Sequence, residues 1–197
     1  MLKGIIVGIV LGVLLLVAGT YTYFAMGQAP VATASPQMPF ERKLANMALH
    51  AYLDKLPHAE PAVPADEANF LAGARIYKDH CAFCHGLPGE PKPFVADGMF
   101  PKAPQLFHGV GVTDDDPWET YWKVSGGIRM TGMPAFKEHL SDKEMWQVSV
   151  LLKNADKISS AVKAELTSSA TGATSPAGTP APGAAATGAG HDHEHHH

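Results

Sequence analysis

The feature that most constrains this chain is the run Cys81-Ala82-Phe83-Cys84-His85. These are the only 2 cysteines in 197 residues, which excludes a multi-disulfide scaffold and a four-cysteine metal site. Thiols separated by two residues lie about one helical turn apart, and the adjoining imidazole falls beside them. A thioredoxin-like dithiol would follow a strand and open a helix. Here the pair is preceded by Phe70, Ala74 and Tyr77, which share one helical face with Cys81, and no βαβ pattern occurs. A zinc site needs a second ligand pair at metal spacing, and the sequence has none. The pattern that fits is covalent attachment of a c-type haem. Cys81 and Cys84 would form thioethers to the two vinyl groups, and His85 would be carried over the iron.

Such an iron needs a sixth ligand or an open position. Downstream lies Gly127-Ile128-Arg129-Met130-Thr131-Gly132-Met133-Pro134-Ala135-Phe136. Met133 stands between Gly132 and Pro134, a rigid turn able to aim a side chain inward, and is the first candidate. Its thioether would raise the potential and close the iron. Met130 reads as a core residue or a haem-edge contact. His108 and His139 are the alternative ligands and would lower the potential; otherwise both are exposed loop residues.

The ends of the chain differ from its middle. Gly4 to Met26 carries no charge, and about 23 helical residues reach roughly 34 Å, enough to cross a bilayer core. Lys3 precedes this run and no further charge appears before Glu41, a bias that places the short amino end in the cytoplasm and the rest outside. The reading is an uncleaved anchor over residues 1–26. The competing one is a signal peptide cut near Ala32-Thr33-Ala34, although the apolar run exceeds an ordinary signal core. Gly4, Gly8 and Gly12 share a face that would admit a second membrane helix, or simply reflect how common glycine is in such segments.

Residues 27–65 read as a linker with a short helix from Phe40 to Leu56, whose Leu49, Tyr52, Leu53 and Leu56 form one stripe. Residues 57–65 read as a second, stiff linker. Residues 66–166 hold the domain. Asp66 caps its first helix, in which Gly73 suggests a close helix crossing. Residues 86–115 have no period and many Pro and Gly, so they need something to wrap around. Asp116 to Glu119 resembles a capping box with Pro117 at the first helical position. Trp118, Tyr121, Trp122 and Ser125 share a face, and Gly126-Gly127 ends that helix. Ser141-Asp142-Lys143-Glu144 is a capping box for the last helix, with Met145, Val148 and Leu152 buried and Trp146 and Val150 widening the stripe. Residues 167–197 are Ala/Gly/Ser/Thr/Pro-rich, too poor in apolar groups to order themselves, and end in a His cluster. His191, His193 and His195 suit Cu, Ni or Zn, or form a solvated tail.

In these residues the chain resembles a class I cytochrome c, over about Asp66 to Asp156. The helix entering CAFCH, the loop with Pro104, GMPAF around Met133 and the closing helix with Trp146 carry the likeness. From Pro39 onward it is also similar to membrane-anchored monohaem cytochromes with PF-E-K-L followed by GIR-TGMP. The resemblance implies an all-α cytochrome c-like domain around one haem. It implies His85 and Met133 as axial ligands and a Pro104 carbonyl accepting a hydrogen bond from the imidazole. Gly73 and Tyr77 match the surface that crosses the last helix. Arg129 would pair with a haem propionate or remain a solvated charge, and Trp122 would pack near the porphyrin or in the core. The loop from His85 to Pro104 is longer than in the smallest such domains, and Phe94–Phe100 would cover the haem edge or present it.

The function implied is transfer of single electrons between redox protein partners at the periplasmic face of the cytoplasmic membrane. It would be carried out by a non-enzyme or by the cytochrome subunit of a larger oxidoreductase, with no small-molecule substrate. A net charge of −4 without a basic run excludes nucleic acid as a partner class. A haem-based ligand sensor would need a vacant sixth site, and a peroxidase of this type a second haem.

Overall fold

The computed structural model describes residues 2–107 and 114–168. His108 and the tail histidines 191, 193 and 195 lie outside them. Among the described residues the chain is all-helical.

The first helix, α1 (Leu2–Ala25), carries no charge after Lys3 and is long and apolar enough to cross a membrane. None of its residues is buried against the protein.

Two crossing helices form the centre of the domain. In α3 (Glu67–His80), Asp66 caps the first turn by accepting from the Asn69 N–H at 2.9 Å. Its inward face buries Ala74 and Tyr77, in register with Cys81. In α7 (Asp142–Lys153), Ser141 and Glu144 form the expected reciprocal capping box. Every residue from Met145 to Leu152 is buried, so this helix is covered on all sides. The two cross at Gly73. A Cβ there would collide with the Gln147 carbonyl oxygen and lie 3.2 Å from Leu151 Cβ. Only glycine permits that approach. Beside the crossing, Gln147 Nε2 donates to Asn69 Oδ1 at 2.9 Å.

α6 (Pro117–Gly126) packs on α7, and Tyr121 stacks on Trp146 with ring centroids 4.3 Å apart. Pro117 occupies the first turn as expected, but the capping box does not form. Asp116 pairs with Lys153 at 3.2 Å and Glu119 with Lys123 at 2.7 Å. Val124, outside the stripe predicted for this helix, is its one fully buried side chain.

A helix that the apolar pattern did not predict follows α7. In α8 (Ser160–Thr167), Val162 and Leu166 insert into the same cluster as Ala74, Tyr77, Val148 and Leu151. Ser159 Oγ accepts from the Val162 N–H at 3.2 Å and donates to Glu67 at 2.6 Å. Lys78 Nζ reaches the Glu165 carboxylate at 3.2 Å. With so few apolar residues, α8 depends on α3 for its stability rather than on its own propensity.

The segment before the domain is packed onto it. α2 (Glu41–Leu53) buries Leu53, half-buries Leu49 and sets Tyr52 5.3 Å from the Trp122 ring. Residues 57–65, expected to be a free stiff linker, lie on the helices instead. His58 stacks on Trp118 at 4.3 Å, and Val63 is buried with Trp146 and Val150. The apolar area of α6 and α7 exceeds what the domain covers by itself, and this segment covers it.

Candidate haem-attachment site

The cysteine motif forms a single turn that continues α3. In α4 (Ala82–His85) the His85 N–H donates to the Cys81 carbonyl at 2.9 Å, which puts both thiols and the imidazole on one turn. Gly86, at φ +74°, ends the turn. The Tyr77 hydroxyl donates to the Gly86 carbonyl at 2.8 Å and so ties the turn back to α3. Burial, with Cys81 adding to it, holds that phenol well above its ordinary range, so it stays a neutral donor.

His85 Nδ1 lies 2.8 Å from the Pro104 carbonyl oxygen. A carbonyl only accepts, so Nδ1 carries the proton and Nε2 keeps its lone pair. Burial lowers the pKa of this histidine, partly offset by the Pro104 bond, and the neutral imidazole is the form that binds a metal. After Pro104 the Gln105 side chain folds over Gly86, filling the place a Cβ would take, and its buried amide has no hydrogen-bond partner among the described residues. Position 86 thus excludes larger residues for space as well as for backbone angle.

Met133 is positioned by the carboxyl end of α6. Gly127 adopts φ +65° and lies so close to the Met133–Ala135 backbone that a Cβ would stand 2.7 Å from two of its atoms. The Ile128 N–H donates to the Met133 carbonyl at 3.1 Å, and the Phe136 N–H caps the Val124 carbonyl at 3.0 Å. Thr131 Oγ1 donates to the Ile128 carbonyl at 2.6 Å and accepts from the Met133 N–H at 3.0 Å. The half-buried Met133 packs against the cluster of Val124, Leu140 and Met145, and so does Ile76 of α3. The Phe136 ring meets His80 at 6.1 Å. Both halves of the candidate site therefore rest on the last turn of α3.

The other predicted residues are placed as follows. Arg129 is exposed and makes no ion pair among the described residues. Met130, expected in the core or at a haem edge, is 92% exposed with φ +58°, so it is no core residue. Trp122 packs on Tyr52 of α2 and not with the Met133 cluster. His139 is exposed. The structure adds Thr131, Gly127 and Gln105, and also Met99, whose methyl presses on Gly132. A hydroxyl two residues before Met133 and a glycine after the helix were the available signals for the first two. Nothing local pointed to the others.

The residues fit a haem better than the alternatives. Burial, with Cys84 adding to it, pushes the Cys81 thiol up to about 12, the opposite of a reactive redox thiolate. No group of three or more His, Cys, Asp or Glu gathers as a metal site among the described residues. Phe83, within the motif, is 70% exposed, and Phe94 of α5 (Phe94–Gly98), which packs on α4, is 83% exposed. Two exposed aromatic side chains on neighbouring elements are compatible with a haem lying against them.

A family model described as cytochrome c oxidase, cbb3-type, subunit III matches residues 68–152. No curated protein matches the chain. Among solved structures, a chain of the reducing HAO-like protein complex of Kuenenia stuttgartiensis matches with 26% identity and a TM-score of 0.41. That match covers 54% of this chain and 54% of the other, about half of each.

Proposed function

From the premise that residues 68–152 form a c-type cytochrome domain, we propose that this chain is a membrane-tethered carrier of single electrons. One haem would be held by thioethers to Cys81 and Cys84. When bound, its iron supplies the one-electron couple. His85 would ligate through Nε2 and Met133 through its thioether. The observation that carries this reading is the Nδ1 contact of His85 with the Pro104 carbonyl, 2.8 Å. It holds the imidazole in the ligating tautomer and orients the ring before any metal arrives, which also increases its basicity as a ligand.

The remaining residues would hold the couple in a fixed geometry. Thr131 and Gly127 restrain the Met133 backbone, so the sulfur need not reorganise between oxidation states. Phe83 and Phe94 would cover the ring and limit water. Arg129, which is exposed, would pair with a haem propionate or remain a solvated charge. α1 would cross the cytoplasmic membrane with the domain on the periplasmic side, following the Lys3 bias. Tethering raises the effective concentration at membrane-bound redox partners. A role as the cytochrome subunit of a larger oxidoreductase is compatible with the same chemistry.

The test is chemical. With Cys81→Ala and Cys84→Ala together, haem staining that follows the wild-type polypeptide through a denaturing gel should disappear. Persistent staining of the double variant would overturn covalent attachment at these sulfurs.

A further inference from the structure

α2 has two apolar faces, and the domain covers one of them. Leu53 is buried and Leu49 and Leu56 are half-buried on one side, near Tyr52, whose ring meets Trp122 of α6. Leu44 and Met47, spaced at a helical interval on the opposite side, are 55% and 58% exposed, and Phe40, just before the helix, is 72% exposed. Ala51 continues that exposed row. A helix that served only to pack on the domain would be polar there.

The charges bordering this face are unusual too. Arg42 and Lys43 lie in the first turn, where the helix dipole disfavours cations. Glu41, the first-turn acid, is turned back onto the Met38 N–H at 2.8 Å. Arg42, Lys43 and Lys55 make no ion pair among the described residues. Lys43 flanks the exposed row on a helical projection and Lys55 follows just beyond the end of the helix, and long cationic side chains so placed can reach past an apolar face to anionic headgroups.

Position along the chain supplies the occupant. Residues 26–40 join α1 to α2, a stretch that spans about 50 Å at most when extended. It is not extended. Residues 30–37 fold back to line a hollow with Glu41 and Phe100. The join between α1 and α2 therefore spans less than its extended reach.

We propose that the exposed face of α2 lies in the headgroup region of the bilayer that α1 crosses, on anionic phospholipid, so that α2 mounts the haem domain on the membrane. This rests on reading α1 as an anchor. The mount would fix the height of the haem domain, where a bare flexible tether would let it swing.

The experiment uses the full haem-loaded chain in native membranes, with a diazirine amino acid placed in turn at Val13, Met47 and Glu90. Phospholipid-mass adducts at Val13 and Met47 but not at exposed Glu90 are the expected result, and Lys43→Glu with Lys55→Glu should reduce the Met47 adduct several-fold. Lipid adducts at Val13 with none at Met47 would overturn the mount and leave the anchor standing. A protein-sized adduct at Met47 would do the same and would assign the face to another chain. No lipid adduct at Val13 would instead overturn the anchor itself. Equal lipid adducts at Glu90 and Met47 would show no specific seat and would also overturn the proposal.

Discussion

At the scale of single residues, the site depends on which atoms are left free. The Pro104 carbonyl accepts a hydrogen bond from His85 Nδ1–H, and Thr131 Oγ1 accepts one from the Met133 N–H, so each candidate ligand is restrained through a group that does not ligate. Replacing Met133 by Ala should leave the haem attached, open the sixth position to carbon monoxide in the reduced state and lower the midpoint potential. An unchanged potential with no carbon monoxide binding would assign the sixth ligand elsewhere. The motif proposed to hold the porphyrin was legible because CAFCH is contiguous. Thr131, Gln105 and Met99 were not, because their partners are set by how the loops close.

Among the elements, the crossing of α3 and α7 carries the domain. Gly73→Ala would gain about 1 kcal/mol of helix propensity, yet the added methyl meets the Gln147 backbone, which cannot yield as a flexible side chain can. The net effect should be a loss of about 1–3 kcal/mol, read from urea unfolding of the loaded protein. α8 was missed because its sequence has only two inward apolar residues, four apart, before a run of small ones. Leu166 is fully buried, so Leu166→Ala should cost about 2–5 kcal/mol by the same measurement, far more than an isolated terminal turn would. A loss below about 0.5 kcal/mol would mean that α8 contributes nothing to the core.

Across the whole molecule, the segment between the apolar helix and the haem domain is part of the structure. The rows Tyr52–Trp122, His58–Trp118 and Val63–Trp146 fasten it along α6 and α7. Leu53→Ala should therefore loosen α2. Amide hydrogen exchange over 41–56 should accelerate while the midpoint potential stays unchanged, because the ring contact of α2 is with Trp122 of α6 and not with His85 or Met133. A shifted potential would show that the segment shapes the haem pocket directly. The surface left over, Phe40, Leu44 and Met47, then calls for an occupant outside the chain.

Sequence alone determined the helical class and pointed to the haem chemistry proposed. Both readings rest on short-range patterns: a contiguous Cys-x-x-Cys-His run, a capping box, a glycine at a crossing and an unbroken apolar span. Only tertiary structure decided that residues 57–65 are docked, that Val124 and not the Trp122 stripe is the buried side of α6, and that α8 belongs to the core. Those outcomes depend on how much apolar area each neighbour leaves uncovered. That quantity does not exist until the helices have met.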